Sequence, residues 1–126
     1  MSIVGIGTDL VEIDRMQKAY EKKAFRKRVF TDKEQELICE SVQRAAGNFA
    51  VKESVAKMFG TGFLHFNPID IEVLRDEKGC PYVVLYDGAL QLATDRKINK
   101  IHVSITNTKV YASAFVVGEN VEKADL

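Results

Sequence analysis

An α+β fold is predicted for this chain: a single small domain in which an antiparallel sheet packs with a long helix. Three observations predict it. Strand-like runs come in pairs joined by short connections, 69–74 with 82–86 and 101–106 with 110–117, as in antiparallel hairpins. A helical stretch runs from roughly Val42 to Phe59 and is closed by Gly60 and Gly62. Strands and helices do not follow strict βαβ order, which argues against a parallel, doubly wound sheet. With 126 residues, 46% apolar residues and two prolines, the chain suits one packed domain over 1–126 and not disorder.

The elements follow in order. The run Ile3-Val4-Gly5-Ile6-Gly7-Thr8-Asp9-Leu10-Val11-Glu12-Ile13 reads as a strand ending near Ile13. Asp14 is then expected to cap a short basic helix. Thr31-Asp32-Lys33-Glu34 has capping-box spacing, so another helix starts there and runs to about Ser41. After the long helix come the two strands around the turn Asp76-Glu77-Lys78-Gly79, then a helix over about 88–95. A second hairpin around Asn107-Thr108-Lys109 follows, and a polar tail is expected from about Glu119 to the end.

Composition excludes several classes of function. No apolar run approaches the roughly 20 residues that span a bilayer, and the N-terminal residues lack the basic-then-apolar layout of a secretion signal. A cytoplasmic protein without membrane contact is expected. Cys39 and Cys80 stand alone without a CxxC pair, which fits a reducing compartment and disfavours a disulfide or zinc site. The net charge of zero conceals a split: residues 15–33 hold eight bases against two acids, a local +6 offset by −6 elsewhere. Such a patch attracts an acidic partner or polyanion, although many charge runs are only solvated helix faces.

Two carboxylates stand in unusual settings. Asp9 interrupts the first strand, and Glu53 lies mid-helix in Phe49-Ala50-Val51-Lys52-Glu53-Ser54-Val55-Ala56-Lys57-Met58-Phe59. On a helical wheel Val51, Val55, Met58 and Phe59 form a core stripe, while Glu53 falls nearly opposite, among Ala46, Phe49, Ala50, Ala56 and Gly60, with Lys57 beside it. Small residues there let another backbone or a ligand come close; the plainer reading is an exposed Glu–Lys pair. Along the strand Asp9 shares its face with Gly5, Gly7, Val11 and Ile13, and the glycines are expected to leave open space next to the carboxylate. Two hard oxygen donors from distant segments, with few histidines or cysteines in competition, suit Mg²⁺ and a phosphate-bearing substrate. In the last hairpin His102, Ser104 and Thr106 share one strand face, a ladder able to bind phosphate or to form a wet outer surface. Gly60-Thr61-Gly62 can let backbone approach a phosphate, or simply stop the helix.

With these residues in view, the chain resembles the holo-acyl-carrier-protein synthases, the small bacterial 4′-phosphopantetheinyl transferases. Three segments carry the likeness over nearly the full length: Gly5-Ile6-Gly7-Thr8-Asp9-Leu10-Val11-Glu12, then Phe49–Ser54 continuing into Lys57-Met58-Phe59-Gly60-Thr61-Gly62, and His102-Val103-Ser104-Ile105-Thr106. The resemblance implies transfer of the phosphopantetheine arm of coenzyme A to a serine of apo acyl carrier protein, in support of fatty acid biosynthesis, with release of adenosine 3′,5′-bisphosphate. It implies Mg²⁺ on Asp9 and Glu53, Lys57 as a catalytic and phosphate-pairing residue, and coenzyme A contacts from Lys57, Gly60, Gly62, His102, Ser104 and Thr106. It also implies that Arg15, Lys18, Lys22, Arg26 and Arg28 dock the acidic carrier protein, and that the protein is a homotrimer with sites at subunit interfaces. Two positions depart from the family pattern: Asn48 and Asn107 stand where other residues are common, with consequences expected at the nucleotide end of coenzyme A.

Two other readings use the same residues. A different small Mg²⁺-dependent phosphoester enzyme would take the basic segment as a nucleic-acid patch, but such enzymes commonly need more acidic ligands than these two. A non-catalytic module recruiting an acidic partner through residues 15–33 would be indifferent to Asp9→Ala and Glu53→Ala.

Overall fold

Two missing side chains decide how the largest elements meet. In the computed structural model, which describes residues 2–122, the first strand, β1 (Ser2–Glu12), crosses the long helix, α4 (Val42–Phe59), at Gly5 and Gly7. A Cβ at Gly7 would lie 1.8 Å from the carbonyl oxygen of Ser54, and one at Gly5 would lie 2.4 Å from that of Met58. Only glycine allows helix backbone to come so near the strand. The open space expected beside Asp9 at these glycines is therefore not open: α4 itself fills it.

Between β1 and α4 stand three short helices, α1 (Ile13–Tyr20), α2 (Lys23–Val29) and α3 (Asp32–Ile38). After α4 come a 3-10 turn (Pro68–Asp70), β2 (Ile71–Arg75), β3 (Pro81–Leu85), α5 (Asp87–Asp95), β4 (Lys100–Asn107) and β5 (Tyr111–Asn120). The strands form an antiparallel sheet of order β1-β5-β4 and a separate β2–β3 hairpin, so the fold is α+β as predicted.

Helix α4 lies under the three-stranded sheet and is enclosed nearly all round, its buried residues including the polar Asn48 and Lys52 beside the small and apolar ones. Val51, Val55 and Phe59 meet Ile71, Val73 and Val116 in one core cluster. Ile13, Met16, Val29, Phe30 and Ile38 make a second, beneath the short helices. Ser41 caps the helix, its Oγ accepting from the Arg44 N–H at 3.4 Å, and Gly60 ends it in the left-handed region at φ +76°.

Several boundaries differ from expectation. Glu12, not Asp14, occupies the N-cap of α1, without a side-chain cap. The basic segment forms two helices, because the backbone turns at Glu21 and Lys22 and Arg26 Nη1 donates to the freed carbonyls of Tyr20 (2.6 Å) and Glu21 (3.1 Å). The tail begins later than expected: Glu119 and Asn120 belong to β5, and Asn99 clasps Val121 through bonds of 2.7 and 2.8 Å. The last four residues of that expected tail lie outside the described residues.

The capping box at Thr31 is present and does more than cap. Glu34 accepts from the Thr31 N–H at 3.2 Å, and its buried carboxylate also accepts from Lys52 Nζ (2.7 Å) and Asn48 Nδ2 (3.0 Å) of α4. Lys52, fully buried, donates further to the carbonyls of Pro68 (3.1 Å) and Ile71. Burial pushes the Lys52 ammonium down and the Glu34 carboxyl up, and each partner opposes the other's shift.

Only one face of the three-stranded sheet is covered by α4. On the other, Ile6 and Leu10 of β1 are 60% and 61% exposed and Phe115 of β5 46%. Cross-strand pairing sets Ile6 beside Val117, Thr8 beside Phe115, and Phe115 beside Ser104 of β4.

Candidate active site

Asp9 is held by its strand. It pairs with Ala114 of β5, and its carbonyl accepts from Ser113 Oγ at 3.1 Å. Strand alternation turns its side chain to the same face as Gly5 and Gly7, towards α4. Because the glycines seat Ser54 and Met58 against β1, the helix brings Glu53 and Lys57 alongside Asp9. Ser54 Oγ adds a direct tie, donating to Ala50 O at 2.7 Å and to Ala114 O of β5 at 3.3 Å.

The result is one cleft of about 300 Å³ with Asp9 and Glu53 in its wall, Arg15 at its rim, and Met16, Phe25 and Phe49 among its apolar lining. Lys57 Nζ lies 3.1 Å from Asp9 Oδ1. The Glu53 carboxyl is raised above its ordinary value, first by partial burial and then by the Asp9 charge, while Lys57 works against the rise. Asp9 and Glu53 therefore repel each other in a partly dry cleft that Glu12 and Arg15 also line, with Lys57 as a partial remedy. Among the described residues no group of three or more His, Cys, Asp or Glu side chains is placed to hold a metal. This donor set, two hard carboxylates without nitrogen or sulfur ligands, fits a Mg²⁺ ion that completes its shell with water and phosphate oxygens.

The structure joins some expected residues and separates others. Asp9, Glu53, Lys57 and Arg15 come together. Gly60 and Gly62 follow at the end of α4, both at positive φ and with open space where a Cβ would stand. His102, Ser104 and Thr106 lie elsewhere in the protomer: they are exposed on the sheet face opposite α4, with His102 Nε2 2.9 Å from Glu119 Oε1. Of the basic residues, Arg15, Lys18, Lys22 and Arg28 are exposed, and Arg26 is half-buried against Tyr20.

Asn48 is not at the surface. It sits in the core, its Nδ2 donating to Glu34 and to the Val73 carbonyl. Asn107 is exposed at the end of β4. Sequence reasoning missed the apolar lining of the cleft: Met16 and Phe25 carried only a core-like signal, since their shared wall depends on how three helices fold back on β1.

Residues 5–116 match the 4′-phosphopantetheinyl transferase superfamily. A holo-[acyl-carrier-protein] synthase of Lachnoclostridium phytofermentans is 55% identical over 117 residues, covering 93% of this chain and 96% of that protein. The crystal structure of the Neisseria meningitidis holo-[acyl-carrier-protein] synthase superposes with a TM-score of 0.85 at 28% identity, over 94% of this chain and 99% of that one. The Helicobacter pylori synthase, solved in complex with coenzyme A, superposes with a TM-score of 0.82 at 27% identity, over 90% and 99% of the two chains.

Proposed function

We propose, from the premise that the chain belongs to the 4′-phosphopantetheinyl transferase superfamily and within it to the holo-[acyl-carrier-protein] synthases, that it moves the phosphopantetheine arm of coenzyme A onto a serine of apo acyl carrier protein. Adenosine 3′,5′-bisphosphate is the leaving product, and the holo carrier serves fatty acid synthesis in the cytoplasm. The observation that carries the reading is the facing of Asp9 and Glu53 across one cleft, with Lys57 between helix and strand.

Asp9 and Glu53 would hold Mg²⁺, which when bound offsets charge on the pyrophosphate and makes the departing bisphosphate a better leaving group. Lys57, bonded to Asp9 and with its ammonium exposed, would be the group that pairs with a phosphate oxygen of the coenzyme. Arg15, at the rim of the same cleft, meets the acidic carrier as it delivers its serine. The apolar wall of Met16, Phe25 and Phe49 keeps water from one side of the approaching hydroxyl. Gly60 and Gly62 leave backbone open to the coenzyme. A further observation supports a homotrimer with shared sites: the His102, Ser104 and Thr106 ladder faces away from Asp9, on an exposed apolar sheet face of the kind that marks interfaces. The ladder of one protomer would then complete the coenzyme site of its neighbour.

The test is direct. Purified protein with Mg²⁺, coenzyme A and an apo carrier protein should yield carrier heavier by one phosphopantetheine arm in an intact mass spectrum. An unchanged carrier mass under those conditions refutes the assignment.

A further inference from the structure

We propose that Lys52, with Glu34 and Asn48, is the positioning unit that fixes α4 so that Glu53 meets its cation; this rests on the metal reading above. The glycine crossing at Gly5 and Gly7 sets how near α4 comes to β1, but close backbone packing and one Ser54 Oγ bond to Ala114 (3.3 Å) offer limited resistance to a small roll of the helix. Directional bonds on the neighbouring face supply that resistance. The Lys52 ammonium spends its three protons on three separate segments: Glu34 of α3 (2.7 Å), Pro68 of the 3-10 turn (3.1 Å) and Ile71 of β2. Asn48, one turn earlier on the same face, donates to Glu34 (3.0 Å) and to the Val73 carbonyl (3.0 Å). Glu34 is itself fixed by the Thr31 backbone. A roll that moved Glu53, the very next residue, would break bonds to buried partners that have no water to replace them.

Stability alone is a poor account of this cluster. A buried ion pair commonly gains nothing over well-packed apolar residues of similar volume. Here the enclosure even leaves Asn48 Oδ1 without a partner, a cost an apolar side chain would avoid. Fixing a position is what such bonds do better than apolar contacts.

The experiment compares wild type, Lys52→Met and the double variant Glu34→Leu/Lys52→Met, each titrated with Mg²⁺ in the presence of coenzyme A. Two quantities are read: the Mg²⁺ concentration giving half of the melting-temperature rise, and that giving half-maximal transfer. The double variant, relieved of the buried Glu34–Lys52 pair, should melt near wild type yet need about tenfold more Mg²⁺ by both readouts, with KM for the carrier protein unchanged. A double variant with the wild-type Mg²⁺ requirement overturns the proposal, as does one that cannot fold, since the cluster would then be a requirement of the fold. Lys52→Met alone, if folded, should show the same raised requirement with a lower melting temperature. If wild type shows no Mg²⁺ response at all, the metal reading itself fails, an outcome distinguishable from failure of this inference.

Discussion

At the scale of single residues, Glu53 records the cost of partly burying a carboxylate and then setting a second acid, Asp9, beside it. Its folded carboxyl holds a proton more tightly than an unfolded glutamate does. The sign follows: this group's contribution to stability is present at acid pH and declines as pH rises through its folded value. Metal-free Glu53→Gln should therefore melt above wild type at neutral pH, with the gap closing as pH falls below the ordinary glutamate range. Adding Mg²⁺ should raise the melting temperature of wild type and not of the variant. Transfer activity should fall at least ~100-fold in Glu53→Gln and likewise in Asp9→Asn, which removes the partner carboxylate. Calorimetric melts across pH, with and without Mg²⁺, check the first pair of outcomes, and mass-resolved turnover checks the last.

At the scale of elements, two joints set the site. The β1–α4 crossing tolerates no side chain: Gly7→Ala forces a methyl into the Ser54 carbonyl and should cost about 1–3 kcal/mol or more. If the helix yields instead, Glu53 moves with it, and a shift of about 1 Å can cost ~100-fold in rate. Urea midpoints and kcat on the same sample separate the two effects; kcat should fall further than the unfolded fraction explains. The second joint is the α1–α2 surface. Charge reversal at exposed Lys18 and Lys22 should raise KM for the carrier protein about tenfold, leave KM for coenzyme A within twofold, and lose its effect in high salt. What the sequence made legible at this scale was local. The capping box at Thr31, the glycine stop at Gly60 and both hairpins are written within a few residues each. The break at Glu21–Lys22 has no glycine or proline to announce it, since Arg26 satisfies the loose carbonyls from outside the turn. Nothing local ties Glu34, Asn48 and Lys52 together, because their partners lie 14 to 25 positions away in the chain. Asp9 and Glu53 stood out because a charge among glycines and alanines has no ordinary packing role.

At the scale of the whole molecule, the exposed face of the β1-β5-β4 sheet and the separation of His102 from Asp9 argue for work done between protomers. Subunits carrying Asp9→Asn and subunits carrying His102→Ala together with Ser104→Ala should each be nearly inactive alone. Mixed and re-assembled one to one, they should regain about a quarter of the wild-type rate, because random pairing restores an intact interface in that share of sites. A mixture no more active than its parts would mean each protomer works unaided. Strand β1 sits at the centre of this arrangement. Its odd positions, Gly5, Gly7 and Asp9, face α4 and the cleft, and its even positions, Ile6, Thr8 and Leu10, face the exterior. The two messages are interleaved letter by letter, so losing or gaining one residue inside 5–9 would exchange them wholesale. The bulge at Val4, where pairing with β5 already skips a residue, lies just upstream of that frame. Length variation in this strand is therefore tolerable ahead of Gly5 and ruinous after it, which leaves substitution as the only route by which the interleaved stretch can evolve.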